Sequence, residues 1–207
     1  GNNLMSVSIV RISKKEIGLF YLRKRSQSDC RPLFCRSTDE GKTWSEPAEI
    51  ITDEIAYYVL NNDRIVKTRK GRWIVPVALH KGPKGTFVSH GKAMCYISDD
   101  LKTWHRGKTV LDLAGNPAGL QEPGVIELSG GRLLMWCRTN TGVQVTSEST
   151  DEGESWSPVK PSNIHSPLAP ASIKYWPGTT DLVMLWNDHY DPKAGWSAGS
   201  RTPMNIA

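Results

Sequence analysis

The chain has 207 residues, enough for one domain with a substantial core. Its net charge of +5 is spread along the sequence, and the densest basic run, at 22–25, is too short for a nucleic-acid-binding arm. No stretch approaches the ~20 apolar residues that cross a membrane. A hydrophobic fraction of 38%, with 13 Pro and 18 Gly, favours a turn-rich all-β protein.

Eleven short runs predict β-strands. They are rich in Val, Ile, Tyr and Trp, and tight turns are predicted at Lys70-Gly71, Gly130-Gly131 and Pro177-Gly178. No window keeps a helical period. The predicted strands, in chain order, are 7–12, 17–22, 33–35, 64–67, 73–78, 92–97, 124–128, 133–137, 144–147, 172–175 and 181–186.

One short segment recurs between the predicted strands. Residues 37–44 read STDEGKTW and residues 149–156 read STDEGESW, while 98–104 read SDDLKTW, a worn copy with Leu101 in the glycine position. Their aspartates, at spacings of 60 and 52 residues, are Asp39, Asp99 and Asp151. In the pattern S-x-D-x-G-x-[ST]-W the aspartate accepts backbone N–H groups, the glycine supplies a positive φ, and the tryptophan packs back as an apolar plug. The pattern therefore predicts structural turns, and these aspartates are not candidates for catalysis.

The recurring segment resembles the Asp-box, the hairpin signature of sialidase-like β-propellers. At about four strands and 45–60 residues per blade, residues 1–207 supply at most about four blades of a single propeller domain. The sialidase-type ring that the resemblance implies has six. Residues 201–207 read as the strand leading into a fourth Asp-box, expected near 203–211. We therefore expect an incomplete ring, and a chain that is part of a longer protein.

The four cysteines favour no metal site. They form no C-x-x-C pair and have no His-rich partner segment, so metal ligation is not expected. No organic cofactor is expected either. Three of them, Cys35, Cys95 and Cys137, fall within apolar strand patterns, which predicts buried free thiols. The fourth is Cys30.

Beyond the Asp-boxes, the chain resembles the bacterial BNR-repeat branch of the sialidase (exo-α-neuraminidase) superfamily in three segments. Residues 121–128 (QEPGVIEL) and 131–138 (GRLLMWCR) are similar to the family's N-E-P-x-V-x-E-L and G-R-L-x-x-x-x-R stretches. The resemblance implies that Glu122 polarises a tyrosine nucleophile and that Arg138 grips the substrate carboxylate. The alternative for Glu122 is a salt-bridging turn residue. Glu127 stands at odd spacing from it and is expected to be structural.

The second and third segments lie near the two ends of the chain. Residues 22–32 resemble the first-blade loop that delivers the family's acid/base aspartate, which implies that Asp29 protonates the leaving-group oxygen and then activates water. Arg31 is close enough to tune its pKa or to bind substrate. Arg201, within 199–203, is similar to the third arm of the family's arginine triad, whose guanidinium groups bind a carboxylate. The alternatives are a solvated Asp29 and a surface Arg201.

Two features depart from the family. Its first triad arginine corresponds to 4–8, where this chain has none. Either the strand aligns differently, or Arg31, or Arg64 with Asn62 beside it, takes part of that role; otherwise the ligand is not a sialic acid. The nucleophilic tyrosine is expected beyond Ala207. Four of the five histidines are interpreted as core or loop residues: His80, His90, His165 and His189.

On this resemblance the expected function is release of a terminal acidic sugar, sialic acid or a related keto-sugar acid, from a glycan or glycoconjugate. A tyrosine nucleophile suits such substrates because an anionic nucleophile would repel them. One alternative is a hydrolase of the same fold acting on another sugar, neutral sugars included. The other is a non-catalytic glycan-binding propeller. Neither nucleic acid nor a membrane span is expected, and the resemblance alone implies a periplasmic or extracellular location.

Overall fold

The computed structural model describes residues 3–207, which form sixteen β-strands and two short 3₁₀ turns. This part of the chain contains no α-helix, and so no helix able to cross a membrane. The strands are β1 (Asn3–Ser13), β2 (Glu16–Lys24), β3 (Cys30–Ser37), β4 (Ala48–Glu49), β5 (Tyr58–Val59), β6 (Val66–Lys67), β7 (Trp73–Leu79), β8 (Lys92–Ser98), β9 (His105–Arg106), β10 (Gln121–Glu127), β11 (Leu133–Arg138), β12 (Val143–Ser149), β13 (Lys160–His165), β14 (Ser172–Tyr175), β15 (Leu182–Asn187) and β16 (Met204–Ile206). The 3₁₀ turns are Ser129–Gly131 and Gly195–Ser197.

The strands pair into four antiparallel sheets, which are the blades of a β-propeller. Blade 1 has the order β1-β2-β3-β4, and blade 2 has β5-β7-β8-β9 with β6 also paired to β7. Blade 3 is β10-β11-β12-β13, and blade 4 is β14-β15-β16. The all-β prediction is confirmed. Residues 3–207 form four blades of an open ring, whereas the complete ring of the expected type has six blades.

All eleven predicted strands overlap observed ones, and 172–175 matches β14 residue for residue. The three predicted tight turns also connect neighbouring strands. The predictions missed β4, β5 and β9, which have two residues each, and β13, whose sequence KPSNIH lacks an apolar alternation. Edge strands of this kind pair through their backbones, so their side chains carry little pattern.

The hydrophobic core lies between blades. The alternating side chains of β7 divide it: Val75 and Val77 pack toward blade 1, whereas Ile74 packs toward blade 3. A third cluster, which includes Trp136 and Ile173, joins blades 3 and 4. Because both faces of β7 are covered, its residues are nearly all buried.

The outer faces of blades 1 and 4 have no neighbouring blade. On β1 the side chain of Ile9 is 62% exposed, and on β16 that of Ile206 is 68% exposed. Leu4 and Leu185 add to these two surfaces. Apolar side chains on exposed sheet faces of this kind mark contact surfaces in soluble proteins.

The Asp-boxes form turns between the third and fourth strands of blades 1 and 3, as predicted. In the first box the Thr43 hydroxyl donates to Asp39 Oδ2 at 2.6 Å, and the Thr43 N–H donates to Oδ1 at 2.9 Å. Gly41, at φ 84°, donates its N–H to Ser37 Oγ. The hydrogen bonds from Thr43, with one from Ser37, lower the pKa of Asp39 to about 2. The box at 149–156 repeats this arrangement.

The middle box differs from its prediction. Asp100 Oδ1, not Asp99, accepts the Ser98 hydroxyl and the following backbone N–H groups, which corrects the repeat spacings to 61 and 51 residues. The turn is one residue shorter than in the other boxes. Leu101 takes the glycine's hydrogen bond, with its N–H 2.8 Å from Ser98 Oγ, at a φ of 59°. Its side chain is buried in the core, and burial offsets the cost of the left-handed conformation.

The prediction of buried free thiols is confirmed for Cys35, Cys95 and Cys137, and Cys30 is also free and buried. Burial raises the pKa of the Cys30 thiol to about 12. A thiol in this state is protonated at neutral pH and is a poor nucleophile.

Candidate functional site

The antiparallel blades bring one set of connections to one end of the propeller, called the mouth below. There the second strand of each blade ends and the third begins, so the mouth carries the connections 25–29, 80–91, 139–142 and 188–203. The Asp-boxes follow the third strands and lie at the opposite end. The mouth receives the residues implied as acid/base, activator and two carboxylate ligands: Asp29, Glu122, Arg138 and Arg201.

A cavity of about 300 Å³ opens at the mouth between blades 2, 3 and 4. It is lined by Tyr57, Val59, His80, Phe87, Ser89, Gln121, Glu122, Arg138, Leu168 and Trp196. A larger cavity, about 520 Å³, lies along β6, β10 and β14 toward the other end. The carboxylate in its wall, Glu127, accepts the Arg69 N–H at 2.7 Å and holds a turn, as expected of a structural residue. The mouth cavity is therefore the candidate site.

Glu122 and Arg138 form an ion pair in the wall of the mouth cavity. A β-bulge between Gln121 and Gly124 interrupts the pairing of β10 with β11, and Glu122 takes a φ of 47°. Its Oε1 lies 2.9 Å from Arg138 Nη1, with the two side chains 20% and 14% exposed. Within residues 3–207, Glu122 Oε2 and Arg138 Nε are buried and have no hydrogen-bond partner. The pair is thus a salt bridge with one acceptor and one donor unused.

His80, interpreted from the sequence as a core or loop residue, is buried but lines the same cavity. It directly follows β7, and its backbone N–H donates to the Tyr57 carbonyl at 2.8 Å. Its ring stacks on Phe87, with centroids 5.2 Å apart. The sequence signal that could have found it is positional, because β7 and β11 are both second strands and Arg138 ends β11.

Asp29 lies beside this cavity, outside its lining, in a cluster of arginines. Its Oδ1 accepts Arg31 Nε at 2.8 Å, and its Oδ2 accepts Arg25 Nη1 at 3.3 Å. The hydrogen bond from Arg31 is the main reason that the pKa of Asp29 lies below its usual value. Arg31 also reaches Glu49 and the Ile51 carbonyl, so its guanidinium binds the protein around Asp29. In this structure Asp29 is an ionised carboxylate.

Arg201 reaches the cavity wall through one contact. Its Nη2 donates to the Leu168 carbonyl at 3.0 Å, and Leu168 lines the cavity. The Arg201 residue is otherwise exposed. It therefore stands at the edge of the site, on the long connection 188–203 that also carries Trp196 into the cavity.

Arg64 and Asn62 lie on the connection between β5 and β6. The Arg64 backbone N–H donates to Ser8 Oγ of β1, and its Nη2 donates to the Ala171 carbonyl at 2.6 Å. The guanidinium also stacks over Trp136 at 5.3 Å. Burial lowers the pKa of Arg64, and the charge of Glu122 opposes that effect. Asn62 is exposed, and neither residue lines the mouth cavity.

Four blades with Asp-box turns at one end and a charged cavity at the other define a propeller of the BNR-repeat type. The chain belongs to the BNR repeat-like domain family, whose sequence model matches residues 1–207. This confirms the family resemblance drawn from the Asp-boxes and the 121–138 segment.

Solved sialidase structures share this fold. A sialidase from Trypanosoma rangeli matches 99% of the chain at 17% identity, with a TM-score of 0.67. A leech intramolecular trans-sialidase matches 79% of the chain at 18% identity, with a TM-score of 0.60. The NanB sialidase of Streptococcus pneumoniae matches 84% of the chain at 16% identity, with a TM-score of 0.59. The chain spans only 37%, 25% and 28% of the lengths of these proteins. At such identities the likeness shows the fold alone.

Proposed function

We propose that this chain carries the site of a glycoside hydrolase that releases a terminal acidic sugar, sialic acid or a related keto-sugar acid. The observation that carries the proposal is the Glu122–Arg138 pair in the wall of the mouth cavity, with an unused oxygen and an unused N–H. A substrate carboxylate can displace Glu122 from the guanidinium and bind Arg138 through two hydrogen bonds. Glu122, once released, can accept a proton from a tyrosine nucleophile that we propose to lie beyond Ala207.

Asp29 is proposed as the acid/base. Its contacts with Arg31 and Arg25 keep it ionised before substrate binds. An anionic sugar placed beside it would raise its pKa by repulsion and compete for the same arginines. Both effects favour the protonated form that donates to the leaving-group oxygen. Arg201 is proposed as a second carboxylate ligand at the rim.

The charge around the mouth supports an acidic substrate. Blade 1 contributes Arg23, Lys24, Arg25 and Arg31 at this end, against Asp29 and Glu49. A basic rim of this kind raises the local concentration of anionic ligands and speeds their association. The sialidase and trans-sialidase names of the structural relatives agree with such a ligand.

A hydrolase acting on a neutral sugar is the second candidate, and one observation favours it. Arg138 is already neutralised by Glu122, and Arg64 is buried against Ala171 and Trp136. The cavity therefore presents no unpaired guanidinium until Glu122 is displaced. A glycan-binding propeller without catalysis is the third candidate, and it would not need Glu122 to exchange a proton.

We also propose that residues 1–207 belong to a single domain in which two further blades close a six-bladed ring. The support is the apolar surface on β1 and β16, around Ile9 and Ile206, and the position of β16 as the third strand of blade 4. In blades 1–3 that strand leads into an Asp-box. A structure of the full-length natural protein in which Ile9 and Ile206 remain in solvent would overturn this proposal.

The test of function is release of the aryl group from an aryl α-sialoside, an aryl hexuronide and an aryl hexoside by the full-length protein. Glu122→Gln should lower turnover by at least about 100-fold, the usual range for loss of a general base. The control is Glu148→Gln. Like Glu122, Glu148 forms an ion pair with an arginine of blade 3, here Arg132, but it lies on β12 outside the cavity. This variant should leave turnover unchanged.

Each outcome selects one candidate. Release from the sialoside alone, abolished in Glu122→Gln, supports the hydrolase of a keto-sugar acid, and release from the hexuronide alone supports an acidic-sugar hydrolase but overturns the keto-sugar acid. Release from the hexoside alone supports the neutral-sugar hydrolase. If the folded protein releases nothing, or if Glu122→Gln and Glu148→Gln behave alike, the hydrolase proposal fails.

A further inference from the structure

One ring nitrogen of His80, Nε2, has no hydrogen-bond partner among residues 3–207. The other ring nitrogen, Nδ1, lies 2.9 Å from the Val88 carbonyl oxygen. A carbonyl can only accept, so Nδ1 carries the hydrogen. In the neutral imidazole Nε2 then holds a lone pair, and no residue in 3–207 donates a hydrogen bond to it. The structure thus fixes the tautomer and leaves one acceptor free.

The orientation of that acceptor is also fixed. The ring is stacked on Phe87 at an interplanar angle of 23°, and Phe87 in turn packs edge-on against Tyr57. Gly91 lies beside the ring, where a Cβ would stand 3.1 Å from Cε1 and 3.2 Å from Nε2. A Cβ at Gly91 would meet the Leu120 carbonyl oxygen and would also crowd this edge of the imidazole.

His80 is neutral where it stands. Burial is the main cause that lowers the pKa of the imidazole below its ordinary value of 6.5, against the opposing effects of the Val88 carbonyl, the Glu122 carboxylate and the Ser89 backbone. The charged groups that face the ring are Glu122 and Arg138, which neutralise each other. At neutral pH the cavity therefore contains an uncharged acceptor beside an ion pair.

We propose that His80 is a substrate-contact residue whose Nε2 accepts a hydrogen bond from a ring hydroxyl of the terminal sugar. The proposal deepens, and rests on, the proposed glycosidase function. A sugar ring carries hydroxyl donors on several carbons, and a buried acceptor that meets one of them discriminates against the sugar that lacks it. An imidazolium at the same place would donate instead and would repel the hydroxyl hydrogen.

The test is a set of paired variants and substrate analogues. His80→Asn can keep the donor to Val88 but removes the acceptor at the position of Nε2, whereas His80→Gln can place an amide oxygen near it. Each protein is measured with the aryl α-sialoside, hexuronide and hexoside named above and with the monodeoxy analogues of each. Binding of the matching methyl glycosides is measured by calorimetry in parallel.

We expect the wild-type protein to lose about tenfold in kcat/KM, or in affinity, on removal of one particular hydroxyl. His80→Asn should show the same loss on the parent sugar but no further loss on that deoxy sugar, and His80→Gln should recover part of it. A residue with a purely structural role would weaken all sugars alike. That result, or a His80→Asn variant equal to wild type, would overturn the proposal.

The design separates this proposal from the function on which it rests. Binding without hydrolysis, with the hydroxyl coupling intact, would retain His80 as a contact residue and overturn the hydrolase. Hydrolysis without the coupling would do the reverse. If the folded wild-type protein neither binds nor cleaves any member of the set, both proposals fail.

Discussion

Gly124 should not tolerate even a methyl group, because the ring of Trp136 occupies the space. A Cβ at Gly124 would lie 2.2 Å from Trp136 Cζ2 and 2.4 Å from Cε2. Carbon atoms pack best at about 3.5–4.0 Å, so the ring would have to move by more than about 1 Å. It cannot move freely, since its Nε1–H donates to the Ala171 carbonyl at 3.0 Å and the Arg64 guanidinium lies 5.3 Å from the ring centroid.

We therefore expect Gly124→Ala to cost about 3 kcal/mol in the free energy of unfolding, the upper part of the range for an overpacked core. For a domain of this size that corresponds to a fall in Tm of roughly 6–12 °C. Backbone strain does not contribute, since the φ of Gly124 lies outside the left-handed region. The assay is urea unfolding of the full-length protein followed by circular dichroism.

A double-mutant cycle isolates the cause. In a Trp136→Leu background the ring is absent, and Gly124→Ala should cost less than about 1 kcal/mol. A cost that is equal in both backgrounds would refute the steric explanation. A Gly124→Ala protein as stable as wild type would refute the packing of β10 against β11 described above.

Three further predictions concern charges and thiols. Folding lowers the pKa of Asp39 from 3.8 to about 2, so the stability that this carboxylate gives the protein is complete above pH 3.8 and is lost as the pH falls toward 2. Asp39→Asn should therefore flatten the curve of Tm against pH in that window, and an unchanged curve would contradict this. Arg31→Lys should lower the free energy of unfolding, measured in urea, by about 1.5–3 kcal/mol, because an ammonium cannot bridge Asp29, Glu49 and the Ile51 carbonyl together. An unchanged midpoint of the urea transition would contradict this prediction. Iodoacetamide should modify the four buried cysteines, Cys30, Cys35, Cys95 and Cys137, only after the protein is unfolded, as measured by mass spectrometry. Rapid labelling of any of them in the native protein would contradict their burial.

The strands and Asp-box turns could be predicted because their signals are local. In the first and third boxes the hydrogen bonds among the Ser, Asp, Gly and Thr or Ser positions that form the turn all lie within eight residues, so the pattern determines the turn wherever it occurs. The middle box shows the limit of this reasoning. Counting from Ser98 gives Asp100 the position that Asp39 holds after Ser37, but the missing glycine hides the one-residue deletion. Only the structure shows that Leu101 adopts the left-handed conformation there, at a φ of 59°, and that its N–H bonds to Ser98 Oγ.

The site could be predicted only where a motif spans it. Glu122 and Arg138 lie in one resembling segment and are brought together by the β10–β11 hairpin. His80 and Tyr57 come from another blade, and their approach to Glu122 depends on how blades 2 and 3 pack. Strand periodicity assigns residues to the faces of a sheet, but it does not predict which strand ends meet across two sheets.

The two ends of the propeller differ in what they can tell about function. At the mouth, the connections between second and third strands have five, twelve, four and sixteen residues in blades 1 to 4. At the other end, the boxes at 37–44 and 149–156 repeat nearly residue for residue. Turns that satisfy their own polar groups recur whatever the protein binds, whereas loops of unequal length shape a particular cavity. A match built on the Asp-boxes therefore transfers the fold, and what the protein binds must be determined from the mouth, beginning with Glu122, Arg138 and His80.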